Sequence, residues 1–128
     1  MNILTGLIAR ILYGLPFIGF GAGHLLNASM MAGYVPIPGG IIWIYVTGIA
    51  MILAGIAVIT KIQGVTAMYL LALLLLIYIV TIHIPSLMKP ETMQMGLGGL
   101  YKDTSLMGAA LLLAGIFKKE KETLSQLV

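Results

Sequence analysis

Residues 19–59 read GFGAGHLLNASMMAGYVPIPGGIIWIYVTGIAMILAGIAVI, and this stretch decides the fold. From residue 11 through residue 60 the chain contains no Asp, Glu, Lys or Arg, and His24 is the one side chain in that run with an ordinary titration near neutral pH. The surface of a soluble domain needs charged and polar groups, and a segment of this length would leave it without them. A bilayer demands such a segment. The run is interrupted once, by Gly-Tyr-Val-Pro-Ile-Pro-Gly-Gly at residues 33–40, where two prolines stop a helix and the glycines turn the chain. The stretch therefore predicts a helical hairpin that crosses a membrane and returns.

The rest of the chain extends the same pattern. Of its 128 residues, 60% are hydrophobic and 9% charged, which lies far outside the range of soluble domains. The predicted fold class is an all-α membrane protein, a four-transmembrane-helix antiparallel bundle in one domain. The helices are expected at about 3–26, 41–60, 65–84 and 98–117, with a charged tail at 118–128. The first apolar segment lacks a basic region ahead of it and holds Arg10 inside it, so it reads as a retained helix and not as a signal peptide.

Arg10 lies about 10 Å along that helix, where its stem can snorkel to the headgroups or turn inward onto an anionic group. Pro16 is a candidate kink. Gly19 and Gly23 form a GxxxG pair expected to let another backbone approach. Trp43 and Tyr45 open the second helix at the level of an aromatic belt. Gly48 and Gly55, with Ala50 and Ala54, are expected to pack against neighbours. A tight turn, Lys61-Ile62-Gln63-Gly64, leads into a Leu-rich third helix that is expected to end at His83-Ile84-Pro85.

The fourth helix is less clear-cut. The uncharged run 104–117 gives about 21 Å of helix against a hydrocarbon core of about 30 Å. The helix must therefore start earlier, near 98–100, which puts Lys102 and Asp103 in its first turns beside the positive helix end.

Basic residues give the orientation. Four spans place both termini and the Lys61 turn on one side, together with Arg10, Lys118, Lys119 and Lys121. Lys89 and Lys102 fall on the other. Five against two predicts both termini in the cytoplasm.

Several function classes are excluded. There is no cysteine, hence no disulfide, CxxC chemistry, thiolate metal site or thioether-bound haem. The net charge of +3 comes from scattered and terminal cations without an aromatic-basic patch, so no nucleic-acid partner is expected. The nine methionines read as core filler.

The unusual polar residues collect at one end of the predicted bundle. His24 closes the first helix, Trp43 and Tyr45 open the second, His83 closes the third, and Lys102 and Asp103 open the fourth. Ionisable groups at membrane depth are costly and tend to face the interior and pair, so these six are the candidate ligand-binding residues. Each has a plainer alternative: interfacial histidines, belt aromatics and a local Lys102–Asp103 ion pair. Two histidines on different helices can ligate a metal or b-type haem, but no second pair or carboxylate triad accompanies them, and no metal site is assigned.

The order of features resembles the DoxX and DoxX-like family. The resemblance is carried by Gly-His near the end of the first helix, then Val-Pro-Ile-Pro-Gly and Trp-Ile-Tyr-Val-Thr-Gly-Ile-Ala. It continues through His-Ile-Pro-Ser-Leu and Leu-Tyr-Lys-Asp-Thr-Ser-Leu-Met-Gly-Ala-Ala-Leu-Leu-Leu-Ala-Gly, so it covers nearly the whole chain. Many members carry Glu after the Gly-x-Ala element of the second helix, where this chain has Met51. The resemblance implies a four-helix protein of the bacterial inner membrane, a redox-associated subunit of a larger membrane complex with a quinone as its cofactor. A quinone's carbonyls need hydrogen-bond donors, which His24, His83, Trp43 or Lys102 can supply. The alternative is a non-catalytic accessory or assembly subunit, and a homo-oligomer is a further partner expectation. A small multidrug exporter would need a carboxylate deep in a helix, and the deepest charge of the first helix is Arg10.

Overall fold

The structure, a computed structural model, describes residues 2–128. It is all-α, with no strand among the described residues, and four of its helices are long and apolar enough to cross a membrane. These are α1 (Leu4–Leu26), α2 (Ile41–Thr60), α3 (Gly64–Leu87) and α4 (Met93–Gln126). The chain divides into two compact units, Met1–Ala67 and Met68–Val128.

In the first unit α1 opens with a π turn, Leu4–Ile8, and continues through Pro16 as α-helix to Leu26. Asn27 ends it. Its side-chain amide donates to the Gly23 carbonyl at 2.9 Å, and its backbone N–H donates to the same oxygen at 3.0 Å. The connection to α2 is partly ordered by a short helix, Ala28–Met31, and a 3-10 turn, Ala32–Tyr34. Gly39, at φ 96, then makes the backward turn that other residues adopt only with strain.

The α1–α2 contact is a glycine seam. Gly14 and Gly21 on α1 meet Gly55 and Gly48 on α2. A Cβ on Gly14 would sit 2.7 Å from the Gly55 carbonyl, and one on Gly55 would sit 2.6 Å from the Gly14 carbonyl. A Cβ on Gly48 would sit 3.0 Å from the Gly21 carbonyl. The order of contacts reverses along the two helices, so the pair is antiparallel. Phe17, Ile44, Met51, Ala54 and Val58 are buried in the same unit. Seven-residue glycine spacing on both helices lets the backbones touch twice, two turns apart.

The GxxxG pair does not take part: nothing lies within 4 Å of a Cβ placed on Gly19 or Gly23. At about 100° per residue, Gly19 is turned about 140° from Gly14 and about 160° from Gly21, away from the seam. Ala50 is likewise exposed, whereas Gly48, Ala54 and Gly55 are buried as expected.

In the second unit two helix boundaries differ from those expected. Pro85 does not end α3. A π turn, Ile79–His83, precedes it, and Pro85 then sits in the first turn of the segment Ile84–Leu87. The missing N–H of proline is tolerated in a first turn, and the wider π turn relieves the clash with the preceding carbonyls. α4 begins at Met93 and runs without a break to Gln126, through both the glycine-rich stretch expected as loop and the charged tail. Packing of Gly96 and Gly99 against α3 outweighs the low helix propensity of glycine, and the Lys/Glu-rich tail consists largely of strong helix formers. The Ile79–Leu87 end of α3 packs on α4. α3 buries Met68, Leu71, Ala72, Leu75 and Ile79, and α4 buries Gly96, Asp103, Ala110, Ala114 and Phe117.

Candidate functional site

Positions 96, 103, 110 and 117 of α4 recur every seven residues and hold Gly, Asp, Ala and Phe. Asp103 is thus a charged residue on a packing face. It is 3% exposed, and it is the buried polar or charged residue among the described residues. Its Oδ2 lies 2.7 Å from His83 Nε2, and its Oδ1 lies 3.4 Å from Lys102 Nζ. A carboxylate has no hydrogen to give, so His83 Nε2–H and the Lys102 ammonium both donate to it. The side chain of His83 is 16% exposed and that of Lys102 is 54% exposed, so the lysine bridges the buried carboxylate to the surface.

Two glycines make room for the pair. Gly99 lies one turn before Asp103 on the same face. A Cβ there would be 2.9 Å from His83 Nε2 and closer still to Cε1 and Nδ1. Gly96 lies one turn further back, where a Cβ would be 3.0 Å from the His83 carbonyl and 2.9 Å from Ser86 Cβ. The imidazole therefore lies on bare backbone, which only glycine provides.

Because α4 starts at Met93, Asp103 is about 15 Å from the helix N-terminus and beyond the reach of its dipole. This corrects the expectation that Asp103 sits by the positive helix end. The neighbouring cation and imidazole compensate its charge instead. The local Lys102–Asp103 ion pair is present, with His83 as a third member. Along the helices, His83 is about 28 Å from Gly64, and Asp103 about 22 Å from Lys118.

The remaining candidates lie in the first unit and have local roles there. His24 Nδ1 is 2.8 Å from the Phe20 carbonyl one turn back, and its Cβ faces Gly48. The Trp43 indole donates to the Pro38 carbonyl at 2.8 Å and ties the proline loop to α2, while the residue as a whole remains 43% exposed. Tyr45 is exposed. Arg10 neither points to an anionic side chain nor simply snorkels. It donates through Nη1 to the Ile59 carbonyl, in the last turn of α2, and through Nε to the Gly6 carbonyl at 3.3 Å. Sequence reading missed Gly96 and Gly99, although their spacing from Asp103 by one and two turns was a usable signal.

Among the described residues no three His, Cys, Asp or Glu side chains group as a metal site would require. No protein-family model, curated protein or solved structure matches the chain. Helix length, composition and packing define its class as a multi-pass membrane protein with a polar cluster on α3 and α4.

Proposed function

We propose that the chain is a DoxX-like protein of the bacterial inner membrane, with both termini in the cytoplasm. In this reading it is a redox-associated subunit of a membrane complex, and His83, Asp103 and Lys102 form its contact for a quinone head group. One observation carries the proposal: a buried His83–Asp103 hydrogen bond of 2.7 Å on otherwise apolar helices. Stability gives little reason to place a carboxylate there, since ionisable groups on membrane-spanning helices are costly and are seldom kept without a role. A quinone joins a polar head to an apolar tail, and its head needs polar partners within apolar surroundings. The cluster offers such partners near one boundary of the apolar layer. The five-to-two distribution of basic residues supports the orientation.

The test is quinone content. Protein purified into nanodiscs should yield extractable quinone. His83→Ala and Asp103→Asn should each lower it severalfold while the protein still inserts and folds. Wild-type quinone content in both variants, or none in the wild type, would favour the accessory-subunit reading.

A second reading rests on Asp103 alone. It is the buried carboxylate that α1 lacks, and a proton-coupled exporter requires one. Cation uptake into proteoliposomes, driven by a pH gradient and abolished in Asp103→Asn, would identify that activity.

A further inference from the structure

We infer that Pro85 is the positioning residue of the site: by holding the Ile79–His83 turn in its π form, it sets His83, and not Ile82, opposite Asp103. The inference rests on the quinone reading above for what the site binds, and it names the residue that builds the site. A π turn holds one residue more than an α turn, because each N–H reaches five residues back instead of four. The Ile84 N–H does so here and donates to the Ile79 carbonyl. From His83 onwards, α3 is therefore shifted by one position from the register that its first part sets.

Burial records that shift. Met68 and Leu75 are buried seven residues apart, and seven residues bring an α-helix back to within about 20° of its starting direction. The next member of that row is Ile82, yet Ile82 is 42% exposed. The residue set against α4 is His83, eight positions after Leu75: its Nε2 meets Asp103 and its ring lies on Gly99. In an unbroken α-helix, eight residues would carry His83 about 80° off the line of Leu75. The glycines of α4 fit the shifted register. A Cβ on Gly96 would meet the His83 carbonyl and Ser86, and one on Gly99 would meet the imidazole. An isoleucine brought to this place would offer Asp103 no donor.

Pro85 keeps the turn wide. In the α register its ring would clash with the Thr81 carbonyl four residues back, and that carbonyl would have no N–H to accept. After the π turn, Pro85 instead falls in the first turn of Ile84–Leu87, where a missing N–H is tolerated. Pro85 is exposed, so its replacement removes no core side chain. It acts on the site only through the direction of His83.

The experiment uses the full chain in nanodiscs, with ¹⁵N in the histidines and ¹³C in the aspartate. Asp103 is the one aspartate in the sequence, so a ¹⁵N–¹³C dipolar contact reports the His83–Asp103 pair independently of quinone, and His83→Ala supplies the blank. The wild type should show the contact. Pro85→Ala should lose it and should lose extractable quinone severalfold, although alanine is the better helix former. Exchanging the two side chains, Ile82→His with His83→Ile, should restore contact and quinone in the Pro85→Ala background and abolish both where Pro85 is kept. A contact retained in Pro85→Ala, or an exchange that fails to restore it there, overturns the inference. A contact that follows the expected pattern with no extractable quinone in any variant overturns the quinone reading and leaves Pro85 as the positioning residue of the pair.

Discussion

Gly99→Ala is the most direct perturbation of the cluster, because it adds one methyl group where the imidazole lies. The new Cβ would be 2.9 Å from His83 Nε2 and nearer to Cε1 and Nδ1. Two responses are open, and they are alternatives, not additive costs. If the ring stays, the clash remains, and overpacking of this kind costs about 1–3 kcal/mol. If the ring swings away, the 2.7 Å bond to Asp103 is lost. Hydrogen bonds between membrane helices average about 0.6 kcal/mol, with a maximum of about 1.7. Bonds to a charged group in water-soluble proteins reach about 1.5–3 kcal/mol. Asp103 keeps Lys102 at 3.4 Å, which limits the loss. The expected net destabilisation is therefore about 1–3 kcal/mol.

Gly98→Ala is the built-in control. Nothing lies within 4 Å of a Cβ there, and alanine in a helix interior is better than glycine by about 0.5–1 kcal/mol. Reversible unfolding in mixed micelles should thus place two adjacent, chemically identical substitutions on opposite sides of wild type. In a His83→Ala background the Gly99→Ala penalty should shrink towards zero. Equal stability of Gly98→Ala and Gly99→Ala, or an undiminished penalty in the double variant, would refute the claim that Gly99 is there for the imidazole.

Gly21→Ala and Gly48→Leu should each destabilise the protein in the same assay, by about 1–3 kcal/mol or more, because both intrude on backbone across the seam. Gly19→Ala should cost nothing, and a loss there would mean that the GxxxG face is packed. Arg10→Leu should weaken the protein by about 1 kcal/mol, since it removes the cation that caps the α2 carbonyl of Ile59. Reporter fusions at the C-terminus and within 61–64 should read cytoplasmic and a fusion near Pro90 should read external; the reverse pattern would overturn the orientation.

What the sequence made legible was set by length and charge. α2 lies where the uncharged run and its flanking turns place it, from Ile41 to Thr60. The errors came where local chemistry opposes tertiary packing. Pro85 and the glycines at 96, 98 and 99 looked like breaks because each residue disfavours helix taken singly. The π turn before Pro85 and the α3–α4 contact at Gly96 and Gly99 reverse that preference, and neither can be read from a residue's own propensity. The α1 side of the seam was misassigned for a related reason: a four-residue glycine spacing is conspicuous, whereas the seven-residue spacing of Gly14 and Gly21 shows only when it is compared with that of Gly48 and Gly55. At the site, His83, Lys102 and Asp103 were picked out by cost alone, as ionisable groups among apolar ones. Their grouping depends on three-dimensional register, which fixed the partner of each charge.

The seven-residue row on α4 poses a final question, whether Asp103 is there for packing at all. The other members are Gly96, Ala110 and Phe117, so an apolar residue fits this face. If the pair served stability, replacing both partners should cost at least as much as replacing either. Physical chemistry predicts otherwise. Removing one partner of a buried pair leaves an uncompensated polar group, and this costs more than the pair itself contributes. His83→Ala should leave the carboxylate with Lys102, and Asp103→Ala should strand the imidazole N–H. Each single variant should lose about 1–3 kcal/mol. The double variant His83→Ala/Asp103→Ala should lie above the less stable single variant, with a coupling of about 1 kcal/mol or more between the positions. Quinone content should stay low in all three, so stability and ligand binding would part company in the double variant. If the double variant instead loses the sum of the two single penalties, the residues act independently. If it unfolds while a packed apolar pair cannot rescue it, the cluster is a structural brace and the argument for a ligand at this position falls.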